Sequence, residues 1–523
     1  MAKRAILILF LSLPLFGATT DLGIFSNSFI GTSTFDPGER YNASFSISAT
    51  GDPAPNVKVT IDLPPGTTVV AATSQFFACH QNGDQYVCTS GISPAGPFQS
   101  FISVTLEASH DLAGSISQLT ARISSDNPDL NTFNDVFKAT ITTRRALVVT
   151  TNADSGDGSL RAQIETMNAA CGATLPCKIV FANDMLIAPL SPLPTITVCN
   201  SGIDAGGAAN APLRVALVGT QLRNGSGLEI RTNCRPGAFS NTGVTIRRLA
   251  IGGFPENGIG ITTSPRPAGT SSVGVLHTVR ECYIGTDATG TVALPNHYRG
   301  IATNAPDASV SIFQNTIASN DASGIAFYSV GVASVTSNRI AANGASGVFA
   351  ANGDLTVTTN EITNNGQYGI STIGPVRLVH GGNILRGNGA QPLDFNMDGP
   401  SNGGPLRPPI LTDAFYDAAK DLTIIRGHLT GTNDQSPTNE GTFRISFGAG
   451  TRNAHGFVDV EKIVFQGFVQ IVPIKSGPFD IAFEATAKGD YRGQLIVGST
   501  VYAPFGDVPN IDGSEFSEPV IVH

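Results

Sequence analysis

The chain carries an internal repeat, and the repeat limits the fold more than any other feature of the sequence. Asn315-Thr-Ile317, Asn338-Arg-Ile340, Asn360-Glu-Ile362 and Asn383-Ile-Leu385 follow one another at steps of 23, 22 and 23 residues. In the first three a Gly stands nine positions after the Asn, at Gly324, Gly347 and Gly369, and precedes Ile325, Val348 or Ile370. Further back, Leu249-Ala-Ile251 with Gly258-Ile259 and Cys282-Tyr-Ile284 with Gly300-Ile301 fit the same frame at steps of 33 residues, which leaves roughly ten inserted residues per unit. A unit this short cannot bury its apolar face alone, so successive units must stack, each as one coil of a parallel β-helix.

Stacking predicts which residues meet. Coils lie about 4.8 Å apart, so a residue at a fixed place in the repeat touches its copies above and below. Ile251, Ile284, Ile317, Ile340, Ile362 and Leu385 are expected to form one interior apolar column, and Ile259, Ile301, Ile325, Val348 and Ile370 another on the next sheet. The column Asn315, Asn338, Asn360 and Asn383 is expected to be a structural ladder of side-chain amides, with Asn and Gly also supplying positive φ at tight corners.

Composition extends the β reading to the whole chain. The sequence is 41% hydrophobic and only 14% charged, with 58 Gly and no Trp, which suits short strands joined by tight turns and excludes a coiled coil or a basic nucleic-acid binder. Period-two alternation in Tyr41–Ser48, Val57–Leu63 and Phe101–Glu107 predicts an antiparallel sandwich over residues 21–143. The same alternation in Leu422–Leu429, Thr442–Phe447 and Phe479–Phe483 predicts a second sandwich over 410–523, after a Pro- and Gly-rich linker from Gln391 to Pro409. Between them, 144–400 is assigned to the β-helix. One helix is expected at its start: Ser159 as N-cap, Leu160, Ile164 and Met167 on one face, and Gly172 as a left-handed stop, placed to cap the open end of the solenoid.

The first residues and the cysteines bear on compartment. Lys3 and Arg4, an apolar run from Ala5 to Leu11 and the small Gly17 and Ala18 read as a signal peptide over residues 1–18, too short for a membrane anchor. Its removal leaves 29 basic against 40 acidic residues, a formal charge of −11 that argues against nucleic acid as a partner. No second hydrophobic span is present, so the mature chain is expected to have no transmembrane segment. Cys79 with Cys88, and Cys171 with Cys177, are spaced as structural disulfides of an oxidising compartment, whereas Cys199, Cys234 and Cys282 leave an odd thiol. Neither pair has metal-ligand spacing, and no metal or cofactor is expected.

Two resemblances add to this reading. Asn56-Val-Lys-Val-Thr-Ile-Asp-Leu-Pro-Pro-Gly-Thr-Thr-Val-Val70, the Cys79/Cys88 hairpin and Ser125-Asp-Asn-Pro-Asp-Leu-Asn-Thr-Phe-Asn-Asp135 resemble the Ig-like conserved-repeat domain of bacterial surface proteins. Thr151-Asn-Ala-Asp-Ser-Gly-Asp-Gly-Ser-Leu-Arg-Ala-Gln-Ile164 and Gly513-Ser-Glu-Phe-Ser-Glu-Pro519 are similar to the flanking segments of secreted right-handed parallel β-helix repeat proteins. The first resemblance implies a spacer or adhesion module without catalytic residues.

Function is read from the loops, since extended loops depart from the periodic surface. The insertion Gly285–Gly300 carries Asp287, His297, Tyr298 and Arg299, and a neighbouring insertion carries Arg266; together they are the candidate binding residues. The expected role is that of an exported extracellular or cell-surface structural or binding protein of adhesion type, with a polysaccharide or another cell-surface component as partner. The alternative is a polysaccharide lyase or glycoside hydrolase. Against it, the acidic residues from 240 to 390 rarely share a repeat position, and no adjacent Asp pair occurs.

Overall fold

The structure is a computed structural model that describes residues 20–26, 32–35, 40–90, 98–108, 115–172, 175–206, 213–232, 242–263, 275–397, 406–433, 442–464, 469–471, 477–503 and 512–523. The proposed signal peptide, Cys234 and Arg266 lie outside the described residues. The chain divides into two compact units, Met1–Ala146 and Leu147–His523.

In the first unit, strands Thr20–Ser26, Arg40–Gly51, Phe98–Ala108 and Thr67–Ser74 form one sheet in that order. A second sheet runs Thr32–Phe35, Val136–Thr143, Ser115–Ser124, Lys58–Asp62, Gln85–Ser90 and Phe77–Asn82. Alternation sends Phe45, Ile47, Ile102, Val104, Val59, Ile61, Leu119 and Ile141 into one core, each at most 1% exposed. Cys79 and Cys88 face each other across the hairpin and are joined by a disulfide.

The second unit opens with the β-helix. Each coil contributes a strand to three parallel sheets in turn. The first sheet runs from Arg145–Val149 through Cys177–Phe181, Ser201–Asp204, Thr242–Arg247 and Leu276–Arg280 to Val376–Gly381, the second from Met185–Ile187 to Ile384–Arg386, and the third from Leu228–Thr232 to Leu393–Phe395. The predicted columns are in register. Ile251, Ile284, Ile317, Ile340, Ile362 and Leu385 pair successively on the second sheet, and Ile259, Ile301, Ile325, Val348 and Ile370 on the third. All are at most 1% exposed. Leu393 continues the third-sheet column, so the start of the expected linker is in fact the last coil strand. Its apolar residues are paired and buried, which outweighs the Pro and Gly that follow.

Two corrections concern the corners. Positive φ falls on the residue before each ladder Asn, namely Gln314, Ser337, Thr359 and Gly382, and not on Asn itself. The Asn residues are there for their amides. The recurring Gly answers to space: a Cβ at Gly324 would lie 2.7 Å from Ile340 Cγ2, and one at Gly347 would lie 2.3 Å from Ile362 Cγ2. No side chain fits where the corner meets the next interior Ile.

The amides form two ladders. Asn315, Asn338 and Asn360 each donate Nδ2–H to Oδ1 of the next Asn, ending at Asn383, over 2.9 to 3.0 Å. A second ladder, at the next corner, runs Asn296, Asn320, Asn343, Asn365 and Asn388 with the same geometry. Each amide also closes a backbone carbonyl, as Asn343 Nδ2 does with Ile317 O at 3.1 Å. The corners, where regular strand bonding stops, thereby keep their polar groups paired.

Both ends of the solenoid are covered. Helix Leu160–Ala170, N-capped by Ser159, buries Leu160, Ile164 and Met167 against the first coils. It does not end on Gly172 in a left-handed turn. Cys171 leaves the helix in an extended conformation and is disulfide-bonded to Cys177, so the crosslink redirects the chain. Cys199 is also disulfide-bonded, while Cys282 is a free buried thiol whose pKa burial pushes up to about 12. At the far end a sandwich of antiparallel sheets, built on Leu422–Asn433 with Gly477–Lys488 and on Thr442–Gly450 with Leu495–Ala503, packs on the last coil. Leu385 and Val460 exchange backbone hydrogen bonds across that junction.

Candidate functional site

Outward residues of the third sheet alternate with its interior column and form a row of their own: Glu229, Gly260, Ala302, Ala326, Phe349, Ser371 and Asp394. Of this row only Glu229, Ala302 and Phe349 are partly exposed; Gly260, Ala326, Ser371 and Asp394 are buried, and a Cβ at Gly260 would lie 2.4 Å from Glu229 Oε2. Longer side chains rise from the corner beside it.

The inserted loop supplies that wall. Asn296 resumes the ladder after the insertion, accepting from Phe254 N–H and donating to Ile251 O and Asn320 Oδ1, which fixes where His297, Tyr298 and Arg299 emerge. Gly300 follows because its Cβ would lie 2.6 Å from Gly324 O. The Arg299 guanidinium carbon lies 3.5 Å from the centre of the Tyr298 ring and 4.7 Å from that of Tyr328. Tyr328 reaches it from a register shift in strand Ile325–Thr336, and meets Phe349 edge-on with centroids 6.1 Å apart. Tyr298 is 46% and Tyr328 38% exposed, so the cation orders two rings that still face solvent. His297 Nδ1 lies 2.8 Å from Asp321 Oδ2 at the same exposed edge.

The insertion does not bring all the expected residues together. Asp287 Oδ1 accepts from Thr289 N–H, Thr289 Oγ1–H and Val292 N–H, and these bonds hold its carboxyl below the usual range although burial opposes them. Among the described residues it has no hydrogen bond or ion pair with His297, Tyr298 or Arg299, and its bonds close its own turn. Arg266 lies outside the described residues.

Sequence reasoning missed Glu229, Tyr328 and Phe349. Glu229 precedes the first clear copy of the repeat, and Tyr328 is placed by an irregularity that no period encodes. Glu229 is half-buried at the head of the row, and burial together with the nearby Glu256 raises its carboxyl pKa. Tyr298 N–H donates to Glu256 O, which ties this acidic end to the aromatic wall. Among the described residues no group of three or more His, Cys, Asp or Glu converges as metal ligands do.

A family model described as the right-handed β-helix region matches residues 201–390. This segment is a right-handed β-helix. No curated protein matches the chain. Solved structures with partial likeness include the periplasmic alginate epimerase AlgG, 12% identical over 50% of this chain and 82% of that one, with a TM-score of 0.23. A non-cellulosomal cohesin from Archaeoglobus fulgidus is 13% identical over 24% of this chain and 91% of its own, with a TM-score of 0.16. A putative membrane anchored protein from Corynebacterium diphtheriae is 13% identical over 25% and 36%, with a TM-score of 0.18. No described helix is long and apolar enough to cross a membrane.

Proposed function

We propose that the protein is an exported extracellular or cell-surface binding protein that holds a polysaccharide on the outward face of its β-helix. The observation that carries this reading is the stack of Tyr298, Arg299 and Tyr328 beside the partly exposed Ala302 and Phe349. Exposed rings offer apolar faces to the C–H side of a sugar, and the neighbouring His297, Asp321 and Arg299 offer hydrogen bonds to hydroxyls. The paired cysteines and the residues 1–18 support export. The N-terminal sandwich, similar in sequence to Ig-like surface modules, serves as a spacer or adhesion module.

The test is affinity electrophoresis on a panel of soluble polysaccharides, with wild type against the double variant Tyr298→Ala/Tyr328→Ala. Retardation by at least one polysaccharide, reduced about tenfold in a variant of unchanged melting temperature, is the expected result. Equal retardation of both proteins, or none of either, rejects the reading.

One observation favours a lyase or hydrolase instead: two carboxyl groups, Glu229 and Glu256, lie near each other at the head of the row, and burial together with Glu256 raises the Glu229 carboxyl. Release of reducing ends or unsaturated products from pectin, polygalacturonate or alginate, abolished by Glu229→Gln, would establish that alternative. The binding role predicts that all three remain intact.

A further inference from the structure

The junction between the last coil and the C-terminal sandwich holds a half-open cavity of about 220 Å³. Leu393, Val458 and Val497 are buried along its lining, and the half-buried rings of Phe457 and Phe516 also face it. Such a gap under a cap would be a packing void if its lining were wholly apolar, because dry cavities are apolar ones. This lining is not. Gln391 borders the cavity at 7% exposure, and among the described residues its side-chain amide has no hydrogen-bond partner. The amide is open to the cavity, where its donors and acceptor are available to an occupant. Glu515, 1% exposed, accepts from Phe395 N–H at 2.8 Å at the same wall, and the exposed Arg452 and Glu518 stand at the rim.

We propose that this cavity is a binding site for a single neutral sugar ring at the end of a glycan chain. The volume falls below the ~300–1,000 Å³ usual for drug-sized ligands, which limits the occupant to about one ring. Two aromatic walls suit the apolar face of a sugar, and the Gln391 amide offers both donors and an acceptor to its hydroxyls. Two carboxylates against one guanidinium disfavour an acidic sugar. A purely apolar ring would leave Gln391 unsatisfied. The site is separate from the Tyr298 face and stands whether or not that face binds polysaccharide.

Calorimetric titration of the full chain with glucose, galactose, mannose and N-acetylglucosamine tests the proposal, with glucuronate and cyclohexanol as controls. Saturable binding of at least one of the four sugars is expected, weakened about tenfold by Gln391→Leu and by Phe457→Ala and unchanged by Tyr298→Ala. Arg452→Ala, on the exposed rim, is expected to weaken it too, and decides the matter if Gln391→Leu does not fold. Four outcomes overturn the proposal: no sugar binds, cyclohexanol or glucuronate binds as well as the best sugar, binding survives the cavity substitutions, or Tyr298→Ala abolishes it.

Discussion

His380 stands directly on Val357, in the interior column of the first sheet that otherwise consists of Ile179, Ile203, Ile246, Val279, Ile312 and Val335. Its Nε2 lies 2.7 Å from Ser514 O, so Nε2–H donates to the strand that covers the solenoid end, and its ring meets Phe516 edge-on with centroids 5.7 Å apart. A polar ring thus joins the last coil to its cap.

That arrangement makes the β-helix sensitive to acid. His277 is a second interior imidazole: its Nδ1 accepts from Val244 N–H, and burial pushes its pKa down to about 4, as burial also lowers that of His380. In the unfolded chain both titrate near 6.5. The unfolded state therefore binds more protons as pH falls below 6.5, and the stability present above that value is lost towards pH 4. For His277 alone the loss amounts to about 3 kcal/mol. Melting temperatures at pH 7.5 and pH 4.5 check this: His277→Leu and His380→Leu should each narrow the difference between the two, whatever they cost at neutral pH.

The second amide ladder should be more sensitive than any exposed polar position. Asn343 Oδ1 accepts from both the backbone and the side chain of Asn320, and its Nδ2 donates to Ile317 O and Asn365 Oδ1. Asn343→Leu strands these buried groups at once, at a cost of about 4 kcal/mol, given roughly 1–3 kcal/mol per orphaned group. Gln367→Leu, on the exposed corner, should stay within about 0.5 kcal/mol. Urea unfolding of the two variants beside the wild type makes the comparison.

Thr359 offers a gain. It holds φ 56 in the corner column that Gly382 fills one coil later with φ 65, and a β-branched residue is strained there. Thr359→Asn keeps a side chain while easing the strain, and should raise stability by about 0.5–1 kcal/mol. A melting temperature at or below that of the wild type would mean that the hydroxyl contacts with Ser337 Oγ and Thr358 O outweigh the backbone cost.

The sequence by itself determined the coil. A residue such as Ile340 meets only its own copies, Ile317 and Ile362, on its sheet, so the period alone names its neighbours there. The same holds for Asn338, and the second ladder was equally legible, since Asn320, Asn343, Asn365 and Asn388 each follow a first-ladder Asn by five residues. The tertiary structure decided whatever depends on contacts between non-equivalent residues. Tyr328 reaches Arg299 only through a register shift, Gln391 borders a cavity that exists only because the C-terminal sandwich closes over the last coil, and His380 is buried against Ser514 and Phe516, residues more than a hundred positions further along the chain. Asp287 shows the converse, since it shares an insertion with Tyr298 but spends its carboxylate on its own turn. Translation along the axis is written into the repeat, whereas packing across a corner or against a cap joins residues far apart in the chain by shape and hydrogen bonding, which no period records.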